Sequence, residues 1–87
     1  MSDIALRILT MTKVVLDARA SSVMLPGSEG DLEVLGNHTP LVTALRPGRI
    51  VAACNGEHKD IQVAGGFVVV TPRRVDVLAD LAEVTPR

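Results

Sequence analysis

The chain has no tryptophan, no tyrosine and a single phenylalanine, Phe67. That scarcity removes the ring platforms on which single-stranded nucleic acids stack, and the aromatic clefts in which sugars are cleaved. An excess of either charge is also missing, because nine basic residues against ten acidic ones leave a net charge of -1. Such a balance supplies neither a basic stripe for a phosphate backbone nor an acidic tail, so nucleic acid is not an expected partner. One cysteine, Cys54, excludes an internal disulfide and suits a reducing compartment. Apolar runs such as Phe67-Val68-Val69-Val70 fall far short of the roughly 20 residues needed to cross a bilayer as a helix. No membrane insertion is expected. Asp3 and Arg7 interrupt the first residues, which therefore do not read as a signal peptide.

What the chain has in abundance is branched aliphatic side chains: 13 Val, 10 Leu and 4 Ile among 87 residues. They predict an aliphatic interior. The length allows one hydrophobic core, so residues 1–87 read as one domain with residues 81–87 as a short tail. A domain of this size is modestly stable by itself, and a docking partner would add to it.

Valine and threonine enrichment, short apolar runs and closely spaced turn signals predict an all-β fold, a small antiparallel β-sandwich. Ile4, Leu6 and Ile8 alternate with Ala5 and Arg7, the period of a half-buried strand. Further strands are expected over Val14–Ala18, Ser21–Leu25, Leu32–Leu35, Leu41–Leu45, Arg49–Ala53, Lys59–Val63, Phe67–Thr71 and Val75–Ala79. About nine or ten strands result. Pro26 to Asp31 holds two glycines and a proline and predicts the strongest turn in the chain. Pro47-Gly48 predicts a type II turn with a positive φ at the glycine, and Asn55-Gly56 predicts a hairpin. Ile61 and Val63 alternate with Asp60 and Gln62, which are expected on a wet face. Gly65-Gly66 marks a bend or bulge. The tail after Asp80 is too short for an independent helix.

Candidate chemistry is sparse. His38 lies close in sequence to Glu33 and Asn37 and has the pKa range of a general base, yet no nucleophile pairs with it, so it reads as a loop histidine or a partner contact. Cys54 and His58 flank the Asn55-Gly56 turn within reach of one metal ion, but a structural zinc site wants four ligands. Glu29, Asp31 and Glu33 alternate like calcium ligands and lack the glycine and distant glutamate of a calcium loop. Gly27, Gly30 and Gly36 precede no Gly-Lys-Ser/Thr and form no phosphate cradle. No metal, cofactor or catalytic group is expected. The distinctive feature is a flexible, exposed tip carrying Glu29 and Asp31 ahead of an aliphatic sandwich, which describes an interaction module.

Leu25-Pro26-Gly27-Ser28-Glu29-Gly30-Asp31-Leu32, followed by His38-Thr39-Pro40-Leu41-Val42-Thr43-Ala44-Leu45-Arg46-Pro47-Gly48, resembles the epsilon subunit family of F-type ATP synthases. Ala64-Gly65-Gly66-Phe67-Val68 and Val75-Asp76-Val77-Leu78-Ala79-Asp80 add to the resemblance, which runs from about residue 4 to residue 83. It implies a ten-stranded β-sandwich at the foot of a central stalk, bound to the gamma subunit and to the polar loops of a membrane ring of c subunits. The implied protein is a non-catalytic rotor subunit that passes proton-driven ring rotation to the ATP-synthesising head. It would lie peripherally at the cytoplasmic face of an energy-transducing inner membrane. Carried over residue by residue, Glu29, Gly30 and Asp31 are the implied ring contacts, and His38, Leu41 and Thr43 belong to the implied gamma face. Leu41 reads equally as core. Members usually show Pro-Gly-His-Ala-Pro where this chain has Gly36-Asn37-His38-Thr39-Pro40, which keeps His38 and Pro40. They also continue into two helices that inhibit hydrolysis and, in some, bind ATP, whereas the sequence here ends at Arg87. Neither role is implied for these residues. The competing expectations are a free-standing β-sandwich that binds a small ligand and, more distantly, a small hydrolase.

Overall fold

The computed structural model describes residues 3–85 and contains no helix among them. Ten strands follow one another: β1 (Ile4–Leu9), β2 (Val14–Ala20), β3 (Ser22–Gly27), β4 (Gly30–Leu35), β5 (Leu41–Leu45), β6 (Gly48–Cys54), β7 (Glu57–Val63), β8 (Gly66–Thr71), β9 (Arg74–Ala79) and β10 (Ala82–Val84). They form one continuous sheet in the order β10-β7-β6-β3-β5-β8-β9-β1-β2, with β4 added to β3, and it wraps into a nearly closed sandwich. Every pairing is antiparallel except that of β1 with β9. β3 makes the corner: its start pairs with β6 through Ser22, Val23 and Met24, and its end pairs with β5 through Gly27.

The expected alternation is realised in β1, where Ile4, Leu6 and Ile8 are buried while Arg7 points outward to Asp17 on β2. The core they enter is aliphatic, with Leu25, Ile50, Ile61, Val68, Val75 and Val77 among its most buried members. Asn55 and Gly56 take left-handed φ values of 52° and 79° and close the β6–β7 hairpin, as that dipeptide predicts.

Three local expectations are corrected. The Pro26–Asp31 turn shrinks to two residues, Ser28 and Glu29, because Pro26 and Gly27 finish β3 while Gly30 and Asp31 begin β4. Pro26 is buried there and serves its neighbour as an acceptor, taking the Arg46 backbone N–H at 2.8 Å. Gly48 does not take the positive φ of a type II turn; it opens β6, and its missing side chain lets Pro26 approach, since a Cβ would lie 3.1 Å from that ring. Asp60 is not on a wet face, being 8% exposed and held by Arg49 Nη1 at 3.1 Å.

The residues after Asp80 join the sheet as β10 on β7, and the Thr85 N–H reaches the Asp60 carbonyl at 2.8 Å. Pro86 and Arg87, the end of the expected tail, lie outside the described residues. At the other bend, Gly66 has a φ of 130° and starts β8 so close to β9 that a Cβ would run into the Leu78 carbonyl oxygen.

Candidate functional site

The β3–β4 hairpin carries the acidic tip. Its last rung joins Gly27 to Gly30, where Gly30 adopts a φ of 135° and a Cβ on Gly27 would sit 2.7 Å from the Gly30 carbonyl oxygen. Two neighbouring contacts tie the tip to β5 and the residue that follows it: the Ser28 N–H donates to the Ala44 carbonyl at 2.9 Å, and Arg46 Nε donates to the Gly27 carbonyl at 2.9 Å. The far end of the same arginine pairs with the Asp31 carboxylate through Nη2. One side chain thus clamps both strands of the hairpin.

This clamp changes the expected electrostatics. The tip is a tight two-residue turn rather than a flexible loop, and Asp31 shares its charge with Arg46 instead of presenting it freely. Glu29 is exposed at the turn, and Asp31 is exposed beside it but engaged by Arg46. Beside it runs a groove of about 280 Å³ lined by Glu29, Gly30, Asp31, Leu41, Val42 and Thr43, together with the glycine and leucine of the hairpin stem. Five of the six residues singled out from the sequence therefore share one surface feature. Leu41 is half-buried and packs against the core, so it serves both as core and as groove wall. Thr43 donates its hydroxyl to the Ala44 carbonyl at 3.2 Å.

His38 stands apart from this groove. It is half-buried in the loop before β5, and its Nδ1–H donates to the Thr39 carbonyl at 2.6 Å. The loop is pinned by the Asn37 N–H, which reaches the Pro72 carbonyl in the β8–β9 turn at 2.8 Å, and Asn37 itself takes a φ of 65°. Asn37 tolerates this left-handed conformation better than most residues.

Cys54 and His58 do not converge. Cys54 faces Glu57 across the β6–β7 hairpin and His58 faces Ala53, so the pleat sends the two side chains to opposite faces, the thiol buried and the imidazole exposed. Burial pushes the Cys54 thiol above its ordinary pKa, and Lys59 offsets part of the rise. Among the described residues no three His, Cys, Asp or Glu side chains gather in a metal-binding cluster.

Two features escaped sequence reading. Arg46 reads there as the first residue of a turn, and nothing local reveals that it reaches back to Asp31. The second is an outward apolar row on β8 and β9, with Phe67 60% and Leu78 49% exposed. Its signal was present: odd positions of Phe67-Val68-Val69-Val70 are as apolar as the even ones, and a strand with two apolar faces needs two covers.

Residues 3–85 match the family model described as the ATP synthase delta/epsilon chain β-sandwich domain. The ATP synthase epsilon chain of Symbiobacterium thermophilum is 42% identical over 85 residues, covering 97% of this chain and 61% of that relative. That of Dehalococcoides mccartyi is 41% identical over 83 residues, covering 95% of this chain and 59% of the relative. The chain thus spans about three fifths of the length of these curated relatives. Among solved structures, a chain of the Euglena gracilis mitochondrial ATP synthase, from a complex of OSCP, F1 and c-ring, superposes with a TM-score of 0.89 at 23% identity. It is covered to 54% of its length by 97% of this chain. A chain from the central stalk and c-ring of the Tetrahymena thermophila mitochondrial enzyme gives a TM-score of 0.76 at 17% identity, with 92% of this chain and 65% of that one covered. Both likenesses concern the fold.

Proposed function

Because the chain belongs to the ATP synthase delta/epsilon chain β-sandwich domain family, we propose that it is a non-catalytic piece of a proton-translocating rotor. In this reading it bridges the gamma subunit of the central stalk and the c subunits of the membrane ring. The observation that carries it is the clamped hairpin: Arg46 holds Gly27 and Asp31 so that Glu29 projects from a stiff tip beside the groove. Transmission of rotation needs stiffness, and a small sandwich supplies it through ladder hydrogen bonds and a close-packed aliphatic core.

Glu29, Gly30 and Asp31 form the ring contact, with Glu29 supplying the free charge and Asp31 acting through its pair with Arg46. His38, Leu41 and Thr43 belong to the gamma contact. Leu41 and Thr43 enter it from the groove wall and His38 from the loop ahead of β5. The protein would sit peripherally on the cytoplasmic side of the energy-transducing membrane. No helix among the described residues is long and apolar enough to cross one.

Reversing the charges one at a time tests the assignment. Glu29→Lys and Asp31→Lys are expected to weaken binding to isolated c-ring about tenfold, while denaturant unfolding of the free protein moves by no more than about 1 kcal/mol. Binding of both variants to the ring with unchanged affinity would remove this tip from the ring contact.

A further inference from the structure

We propose that Asn55 is a site of spontaneous covalent modification, its carboxamide cyclising onto the Gly56 nitrogen and hydrolysing to aspartate and isoaspartate, and that the isoaspartate form opens the β6–β7 turn over Cys54. The proposal stands independently of the rotor reading and concerns a turn to which that reading gives no role.

The chain has two asparagines, Asn37 and Asn55, and both take left-handed φ values. Their surroundings differ. Asn37 is pinned through its N–H to the Pro72 carbonyl at 2.8 Å, and the residue after it, His38, carries a side chain that hinders attack by its own nitrogen. Asn55 is exposed and precedes a glycine, and a Cβ built on Gly56 would meet nothing within 4 Å. Among the described residues neither the Asn55 carboxamide nor the Gly56 N–H has a hydrogen-bond partner. The two reacting groups are therefore adjacent, open and unpaired. Only the rung from Cys54 to Glu57 closes the turn, and the end of a hairpin opens more readily than the ladder behind it.

The reaction needs no reagent except water. The Gly56 nitrogen attacks Cγ of Asn55, the new N–Cγ bond closes a five-membered imide, and the Cγ–Nδ2 bond breaks, so that Nδ2 leaves as ammonia with the proton that Gly56 has given up. Water then adds to one of the two imide carbonyls. Addition at Cγ breaks the new bond and gives aspartate with a normal backbone. Addition at the main-chain carbonyl gives isoaspartate, whose backbone runs through Cβ and Cγ and is one carbon longer.

The surroundings favour the attack. Asn55 lines a cleft of about 530 Å³ together with Arg19, Lys59, Asp3, Glu57 and Cys54. Arg19 and Lys59 form no ion pair among the described residues, although Asp3 and Glu57 share the cleft with them. Negative charge that develops on the Asn55 amide oxygen, and the carboxylate that follows, meet uncommitted cations there.

The two products have different consequences. A turn of two residues, both at left-handed φ, has no slack for an extra backbone carbon, so isoaspartate breaks the Cys54–Glu57 rung first. Cys54 is 5% exposed, and it is the thiol which that rung covers. Aspartate leaves the turn closed. The hairpin thus distinguishes aged chains from newly made ones.

Ageing of the purified full chain in mildly alkaline buffer, followed by tryptic mapping, tests this. The peptide from Ile50 to Lys59 is expected to gain about 1 Da and to split into aspartate and isoaspartate forms, while the peptide from Ala20 to Arg49, which holds Asn37, stays unchanged. Maleimide is expected to label Cys54 about tenfold or more faster in the isoaspartate fraction than in fresh chain. Asn55→Gly keeps a turn that accepts left-handed φ and cannot cyclise, so its thiol is expected to stay as slow after ageing as before. Modification of Asn37 ahead of Asn55, or a mass gain seen only in urea-unfolded chain, overturns the site. Labelling of the isoaspartate fraction within about twofold of fresh chain, or equal gain of reactivity in aged Asn55→Gly, overturns the opening of the turn.

Discussion

β7 and β8 each have a paired neighbour on both sides, and both bury one face against the same core. Their other faces differ. β7 turns His58, Asp60 and Gln62 away from Ile61 and Val63, whereas β8 turns Phe67 and Val69 away from Val68 and Val70. On β7 the outward carboxylate is sunk to 8% exposure under Arg49; on β8 and its neighbours the charges are pushed to a rim, and hydrocarbon is left open. A sheet that only needed to stay dissolved would resemble β7 throughout. The outward hydrocarbon on β8 adds nothing to the core and leaves an open apolar surface there.

The contrast breaks down most visibly if inward and outward aliphatics prove equivalent. Leu6→Ala, at a side chain with no exposure, is expected to cost about 2–5 kcal/mol in denaturant unfolding, against less than about 1 kcal/mol for the chemically identical Leu78→Ala on the open face. Equal losses would mean that the outward row is part of the folding core. Gly66 sets the close approach of β8 to β9, so Gly66→Ala is expected to lower stability by about 1–3 kcal/mol through its backbone strain and the clash with the Leu78 carbonyl. Gly56→Ala at the open hairpin turn meets no neighbour and is expected to cost only about 1 kcal/mol for its left-handed φ. The smallest difference concerns charge. Arg49→Ala withdraws a partner from the sunken Asp60 and is expected to cost about 1 kcal/mol, and Arg7→Ala at the rim less than about 0.5 kcal/mol, both read from chemical denaturation.

Much of the fold was legible because local chemistry decided it. Ile4, Leu6 and Ile8 could satisfy only a strand with one wet face, and Asn55-Gly56 is among the few dipeptides that accept two left-handed residues. Pro26 misled because proline and glycine punctuate most chains, and only tertiary neighbours show that this proline can remain in a strand as an acceptor. Gly48 misled for a related reason: its value is the absence of a side chain opposite Pro26, not an unusual φ. Asp60 fell on the wet face by period alone, since alternation assigns a side and says nothing about how deeply an arginine from β6 will cover it.

The site was legible in part. The resemblance named Glu29, Gly30, Asp31, Leu41 and Thr43, and the fold gathers them around one groove. The pairing of Asp31 with Arg46 joins residues from different strands and has no local signature. The open row was hidden by composition, because Phe67-Val68-Val69-Val70 reads as uniformly interior when the strand has in fact one covered face and one bare one.

The parallel seam between β1 and β9 constrains how the chain acquires its shape. Ala5 meets Arg74 and Leu6 meets Val75, so β1 waits for β9, eight strands later in the chain, before its second edge is paired. Loops that large close slowly, and sheets dominated by distant pairings fold over milliseconds to seconds. Until then β1 has one edge unpaired and its core-facing Ile4, Leu6 and Ile8 lack their cover, the two conditions under which β-rich chains associate most readily.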